Sequence, residues 1–467
     1  MSTTDNNPNR RQFLTLSCAT ALTGVAIPAF AQEHSSMPGM DMKGMEKPAV
    51  PTPAPTAPAA NTSPSPASTA STAGKTYTPN GWTLPYKMNA GVKEFHLVAE
   101  EIEHEFAPGS KAKCWGYNGS APGPTIEAVE GDRVRIYVTN RLGEATSVHW
   151  HGLLLPSGMD GVSGLNQRGI DPGETYVYEF TLKQSGSHMY HPHADEMTQM
   201  ALGMMGLFII HPKAGDHVDR DFAIVLHNFA LHPGTSRPDP SIMQDFDIWT
   251  LNGKAFPATE PLVCRTGERV RIRLGNLSMW NHPIHLHGHI FQVTGSDGGR
   301  WPKSQWRSEV TEIIGVGQMR DIEFDAIAGD WAFHCHMSHH TMGPMGHEIP
   351  NTIGVDQGGD LPARMRAHLP GFMAMGEHGM SEHQEHVDMG HMPGPENTLA
   401  MMAGTGPFGN VEMGGMFTVV KVRDNVAHGD FSDPGWHPSR PQDIARKVSS
   451  DPNFGKPVRK NAVRSAP

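Results

Sequence analysis

From Trp82 onward, short runs of apolar, β-branched and aromatic residues alternate with Gly, Pro and Asn punctuation, and that spacing predicts a series of short strands. The pattern also repeats. Gly131-Asp132-Arg133-Val134-Arg135-Ile136 returns as Gly267-Glu268-Arg269-Val270-Arg271-Ile272, and the same displacement carries Asn140 to Asn276 and His149-Trp150-His151-Gly152 to His285-Leu286-His287-Gly288. Further on, the stretch from Gly186 to His193 aligns with that from Gly329 to His336. Self-similarity at domain length marks one folding unit that has been duplicated. The predicted fold is all-β: two β-sandwich domains, the first over residues 82–213 and the second over 220–424.

The closing strands of the two copies also match, but at different distances. Met205-Gly206-Leu207-Phe208-Ile209-Ile210 follows the last histidine pair of its domain almost at once, whereas Gly415-Met416-Phe417-Thr418-Val419-Val420 comes much later. The second domain therefore carries an insertion, residues 346–412, rich in Met and His: Met373, Met375, Met380, Met389 and Met392 with His383, His386 and His391 are candidate accessory ligands for Cu(I).

The ends of the chain lack such patterning. Residues 1–31 read as an export signal, with the twin-arginine pattern Asn9-Arg10-Arg11-Gln12-Phe13-Leu14, an apolar run to Phe30 and the small-residue exit Ala29-Phe30-Ala31. The run is too short and too rich in Thr, Ser, Gly and Ala for a stable membrane span, so the expected location is periplasmic or secreted. Residues 32–81 combine a methionine cluster, Met37 to Met45, with a Pro/Ala/Ser/Thr linker too poor in large apolar side chains to offset the entropy of ordering, and are expected to be disordered. The C-terminal tail, residues 425–467, reads as a surface wrap or as disorder.

A formal net charge of -11 and the lack of a basic stripe exclude nucleic acid as an expected partner. The 28 His and 28 Met against 4 Cys are a surplus of imidazole and thioether that points to soft or borderline metals, copper above all. Export removes Cys18 and leaves Cys114, Cys264 and Cys335 in an oxidising compartment, where the first two are free to pair.

The chemistry concentrates in His334-Cys335-His336, with His340 and Met345 behind it. On a strand, alternation turns Cys335 one way and both flanking histidines the other, so one peptide joins two metal sites. A thiolate, two imidazoles and a weak axial thioether form a blue-copper set, and His282 is the natural second imidazole. The first domain has Pro192 where the second has Cys335, so only the second can hold blue copper. Four His-x-His pairs, His149/His151, His191/His193, His285/His287 and His334/His336, present eight imidazoles, enough for three further ions where domain faces meet.

Taken together, these elements resemble the multicopper oxidases, which carry HxHG, HxH, HPxHLHG and HCHx3Hx4M in that order. The stretch between His193 and His282 is too short for an intervening domain, so the chain is similar to the two-domain, small laccase-like members with blue copper in domain 2. The resemblance implies cupredoxin-like domains and four coppers per chain: type 1 on His282, Cys335, His340 and axial Met345; type 2 on His149 and His285; type 3 on His151, His191 and His336 and on His193, His287 and His334. It implies four one-electron oxidations coupled to reduction of O2 to water, electrons entering through an exposed edge of His282 or His340, and a head-to-tail homotrimer. Asp160, in Met159-Asp160-Gly161, resembles the family's acidic residue near type 2 copper and is the candidate proton relay. The insertion beside the blue site favours Cu(I) as donor in copper tolerance, with phenols and aromatic amines as accessory substrates. A general laccase is the alternative; a copper nitrite reductase or a non-catalytic copper-binding protein accounts for fewer of the histidines.

Overall fold

In a computed structural model the described residues are 76–341 and 404–447, apart from 216, 232, 233, 245 and 412, together with 364 and 367. They form two sandwiches built on one plan. In the first, one sheet orders Lys87–Asn89, Val92–Ala107, Arg133–Asn140 and Thr175–Thr181, with Ser110–Tyr117 also paired to the second of these. The other orders Ile126–Val129, Gly206–His211, Gly186–His191 and His149–His151. In the second sandwich the corresponding order is Leu262–Arg265, Phe417–Arg423, Gly329–Cys335, His282–Leu286, with Thr311–Ile314 added at the edge. Its other sheet is centred on Arg220–Phe229, Arg269–Asn276 and Met319–Asp325.

The duplicated sequence is thus a duplicated topology, down to the parallel pairs. Val92–Ala107 runs parallel to Arg133–Asn140 as Arg220–Phe229 does to Arg269–Asn276, and each closing strand runs parallel to an equivalent edge strand. Inward residues of both sheets fill each core. Phe95, Val134, Ile136, Trp150, Tyr190 and Phe208 lead in the first; Ile272, Ile284, Phe291, Ile322, Phe333 and Val420 lead in the second. The sandwiches share an apolar seam in which Met189, Met205, Leu207 and Ile209 meet Ala223, Val225, Leu277 and Met319. Full burial of one such side chain contributes roughly 1.5–3 kcal/mol, and Ser187, held by both Asp321 and Arg273, fastens the strand bearing His191 to the second domain.

One boundary differs from expectation. The folded chain begins before residue 82, because Tyr77 bridges to Phe222 and stacks on Phe431 at 4.0 Å, so residues 76–81 belong to the core rather than to the spacer. Residues 425–447 are a surface wrap: the buried Arg220 guanidinium donates to the carbonyls of Ala427 and Asp430 and lies over the Phe431 ring. Within the expected insertion, Gly404–Gly406 and Gly409–Val411 form a small hairpin. Cys114 and Cys264 are free thiols buried in different clusters, so they do not pair. The export signal, the methionine cluster and the Met/His residues of the insertion lie outside the described residues. Among the described residues no helix is long and apolar enough to cross a membrane.

Candidate metal centres

The edge strand His149–His151 pairs with Gly186–His191, placing His149 opposite His191 and Trp150 opposite Tyr190. Trp150 and Tyr190 are fully buried, so alternation sends His149, His151 and His191 to the other face. Their ring centroids are 5.3 to 5.7 Å apart, and His193 joins them at 5.6 Å from His149. The second domain repeats the arrangement, with Ile284 opposite Cys335 and His285 opposite His334. His287 lies 4.8 Å from His285, and His336 lies 5.7 Å from His334.

Hydrogen bonds fix which nitrogen each ring offers. A carbonyl oxygen only accepts, so an Nδ1 bonded to one must carry the proton, leaving Nε2 with its lone pair. This holds for His149 on Asp160 O at 2.8 Å, His191 on Pro192 O at 2.9 Å, His285 on Val310 O at 2.6 Å and His334 on Cys335 O at 2.8 Å. Glu196, which the sequence reading passed over, sets its carboxylate 3.6 Å from both His191 Nδ1 and His193 Nε2. Asp160, the candidate proton relay, sets its carboxylate 3.4 Å from His149 Nδ1. Gly161 makes that approach possible: its φ is +84°, and a Cβ there would meet Val148 O at 1.8 Å.

Behind the second quartet, Cys335 faces the core and meets His282 and His340. Sγ lies 3.6 Å from His282 Nδ1 and 3.3 Å from His340 Nδ1, and the two nitrogens are 3.1 Å apart. Ligand atoms about 2.0–2.3 Å from one ion in a trigonal plane are separated by roughly 3.5 Å, so this trio fits a copper ion of the two-His, one-Cys kind. Burial lowers His282 to about 3 and His340 to about 2 and pushes the Cys335 thiol up to about 12. In the metal-free protein all three are neutral, and binding a cation must displace the thiol proton. Met345 lies outside the described residues.

Three further residues shape this centre without having stood out in the sequence. Ser278 Oγ lies 2.7 Å from His282 Nε2, and Trp249 stacks on His340 with centroids 3.5 Å apart. His339 sits against the same ring at 4.1 Å. A Ser in a loop and a Trp on a distant strand carry no motif of their own; only the fold brings them here. One expectation is overturned: His282 and His340 are both 0% exposed, so neither offers an edge to solvent.

No ring contact among the described residues joins the two quartets. Each lies toward the surface, with His287 and His336 exposed, His149, His151, His193 and His285 half-buried, and His191 and His334 buried.

Two sandwiches of this strand order, one holding a buried Cys-His-His trio beside a histidine quartet, define a cupredoxin-fold copper protein. Residues 99–215 and 233–355 each match a multicopper oxidase family model. The chain belongs to the multicopper oxidase family. It is 42% identical over 149 residues to copper resistance protein A of Escherichia coli, covering 32% of this chain and 24% of that protein. To Laccase-2 of Botryotinia fuckeliana it is 30% identical over 282 residues, covering 53% and 47%. Among solved structures it is similar to the blue copper oxidase from Nitrosomonas europaea, with a TM-score of 0.52, 26% identity and coverage of 70% of this chain and 85% of that one. The chain spans about a quarter to a half of the length of these curated relatives.

Proposed function

We propose that this protein oxidises Cu(I), and small phenols as accessory substrates, with O2 as the terminal acceptor. The observation that carries the reading is the buried His282–Cys335–His340 trio, separated by one peptide from the exposed histidine face. Copper held there supplies one-electron redox chemistry, which four turnovers couple to reduction of O2 to two waters. His282, Cys335 and His340, with Met345, would hold type 1 copper. His149 and His285 would hold type 2, and His151, His191, His336 and His193, His287, His334 the type 3 pair. Cys335 links to His334 and His336 through the backbone, the shortest covalent route between the centres. Asp160, against His149, is positioned to hold a proton.

The two quartets lie apart within one chain, so we propose a head-to-tail homotrimer in which the first-domain quartet of one copy meets the second-domain quartet of the next. Exposed apolar side chains support this: Leu154, Leu165 and Met197 in the first domain, Ile290, Val310, Ile313 and Val316 in the second. The donor assignment rests on the insertion, both of whose roots meet the trio. Met416 N donates to His340 O at 2.9 Å, Cys335 N donates to Met416 O at 3.1 Å, and Gly414 N donates to Thr341 O at 2.7 Å. Thioethers delivered there select a soft ion. Export by the twin-arginine pathway to the periplasm or beyond completes the proposal.

O2 uptake by the copper-loaded protein, fed Cu(I) or a bulky methoxyphenol, tests it, for the intact chain and for one lacking residues 350–400. Lower Cu(I) turnover with higher phenol turnover after deletion supports a cuprous oxidase; unaffected Cu(I) turnover favours a general laccase. Blue colour retained in Cys335→Ser would overturn the site assignment.

A further inference from the structure

We infer that His339, flanked by Trp280, is the contact through which a one-ring phenol hands its electron to the His282–Cys335–His340 centre; the inference rests on the oxidase reading above. Both ligand rings are sealed. His282 and His340 are 0% exposed, and His282 Nε2 is committed to Ser278 at 2.7 Å. The outer nitrogen of His340, Nε2, has no hydrogen-bond partner among the described residues. Trp249 covers that ring at 3.5 Å and an interplanar angle of 21°. A donor in solution therefore has no ligand ring to touch.

The next ring outward is His339. It is exposed, its centroid is 4.1 Å from that of His340, and it meets Trp249 and Trp280 edge-on, each at 5.8 Å. No hydrogen bond ties its imidazole among the described residues, so ring contacts alone hold it. Trp280, half-buried, lies at 77° to His339, and the exposed Met279 precedes it in the chain. Two aromatic rings set at a right angle and open to solvent form a corner that a third ring enters in stacked or edge-to-face contact. The loop carrying Trp280 is the one that carries Ser278, so the corner is built on the support of His282.

In the step this serves, a phenol loses one electron and its hydroxyl proton to become a phenoxyl radical. The proton would pass to solvent water, and the electron would pass through His339 and His340 to copper held by His282, Cys335 and His340. Four such steps, with four protons, reduce one O2 to two waters.

The test mixes copper-loaded protein with 2-methoxyphenol under anaerobic conditions and follows bleaching of the blue absorption. In His339→Ala the rate constant should fall about five- to tenfold, the effect of one lost aromatic contact, with the blue spectrum and reduction potential unchanged. His339→Phe, which keeps a ring, should restore most of it. In metal-free protein, methoxybenzene should quench the fluorescence of Trp280 saturably, identified by its loss in Trp280→Phe, and should bind about fivefold more weakly in His339→Ala. Bleaching that is unchanged or faster in His339→Ala would overturn the inference, because His339 would then be a cover over His340. A wild-type protein with neither blue colour nor O2 uptake would overturn the oxidase reading itself.

Discussion

Replacing Ser278 with Ala removes a single oxygen, and the structure allows its effect on copper binding to be worked out. Ser278 Oγ is 2.7 Å from His282 Nε2, 2.7 Å from Asn276 Oδ1 and 2.9 Å from Trp280 O. The last two only accept, so the hydroxyl proton goes to one of them and its lone pair receives the His282 Nε2 proton. That bond keeps the lone pair of His282 on Nδ1, the atom facing Cys335 Sγ. In Ser278→Ala the fully buried Nε2–H has no partner, which costs about 1–3 kcal/mol. The ring can recover part of that by changing tautomer, but its protonated nitrogen then faces the metal. Either way, apparent copper affinity at the blue centre should fall by roughly 10- to 100-fold.

The assay is competition between the protein and a chelator of known affinity, read by blue absorption, for wild type, Ser278→Ala and Ser278→Thr. Threonine retains the hydroxyl and should recover most of the affinity. Equal affinity for wild type and Ser278→Ala would refute the reasoning, since it would mean that packing under Trp249 alone orients His282.

Other outcomes follow from the same geometry. Asp160→Asn should slow O2-coupled turnover more than it lowers copper content, and an unchanged pH-rate profile would remove its proton role. Ile313→Asp places a charge on the exposed face of the strand next to His285; it should prevent the proposed trimer in sedimentation analysis and stop O2 reduction while leaving the blue band, whereas loss of both together would argue against separate centres. His104 and His227 are buried neutral, each lowered to about 4 by desolvation. The unfolded chain binds protons at higher pH than the folded one, so stability is full above about pH 6.5 and is lost as pH falls toward 4, by about 2 kcal/mol for each histidine at pH 5. His227→Gln should flatten that slope in urea titrations of metal-free protein; an unchanged slope would assign it to other groups.

The fold was legible because duplication made the sequence its own control. The two Gly-x-Arg-Val-Arg-Ile segments open equivalent strands, Arg133–Asn140 and Arg269–Asn276, and the matched closing segments close equivalent sheets. Strand alternation likewise anticipated that Cys335 would face the core while His334 and His285 share the other face. What stayed hidden depended on contacts between segments distant in sequence. Tyr77 lies in a stretch whose composition reads as spacer, and it is ordered by Phe431 and Phe222 from elsewhere in the chain. The burial of His282 and His340 depends on Trp249, Trp280 and His339, none of which forms a periodic pattern with them.

The two histidine quartets mark a sharper limit on what such patterns carry. Periodicity tells which face of a strand a histidine occupies, and here it turns His149, His151, His191, His285 and His334 away from the side that Trp150, Tyr190, Ile284 and Cys335 present to the cores. It says nothing about which face meets which. Within one chain the two sandwiches are already locked through the Met189–Met319 seam and the Ser187–Asp321–Arg273 network, which leaves the quartets apart. Exposed and half-buried imidazoles on a surface that also exposes Leu, Ile, Val and Met are ordinary neither for a solvated surface nor for a core. In the proposed head-to-tail assembly they would form a shared centre to which each partner supplies half the ligands.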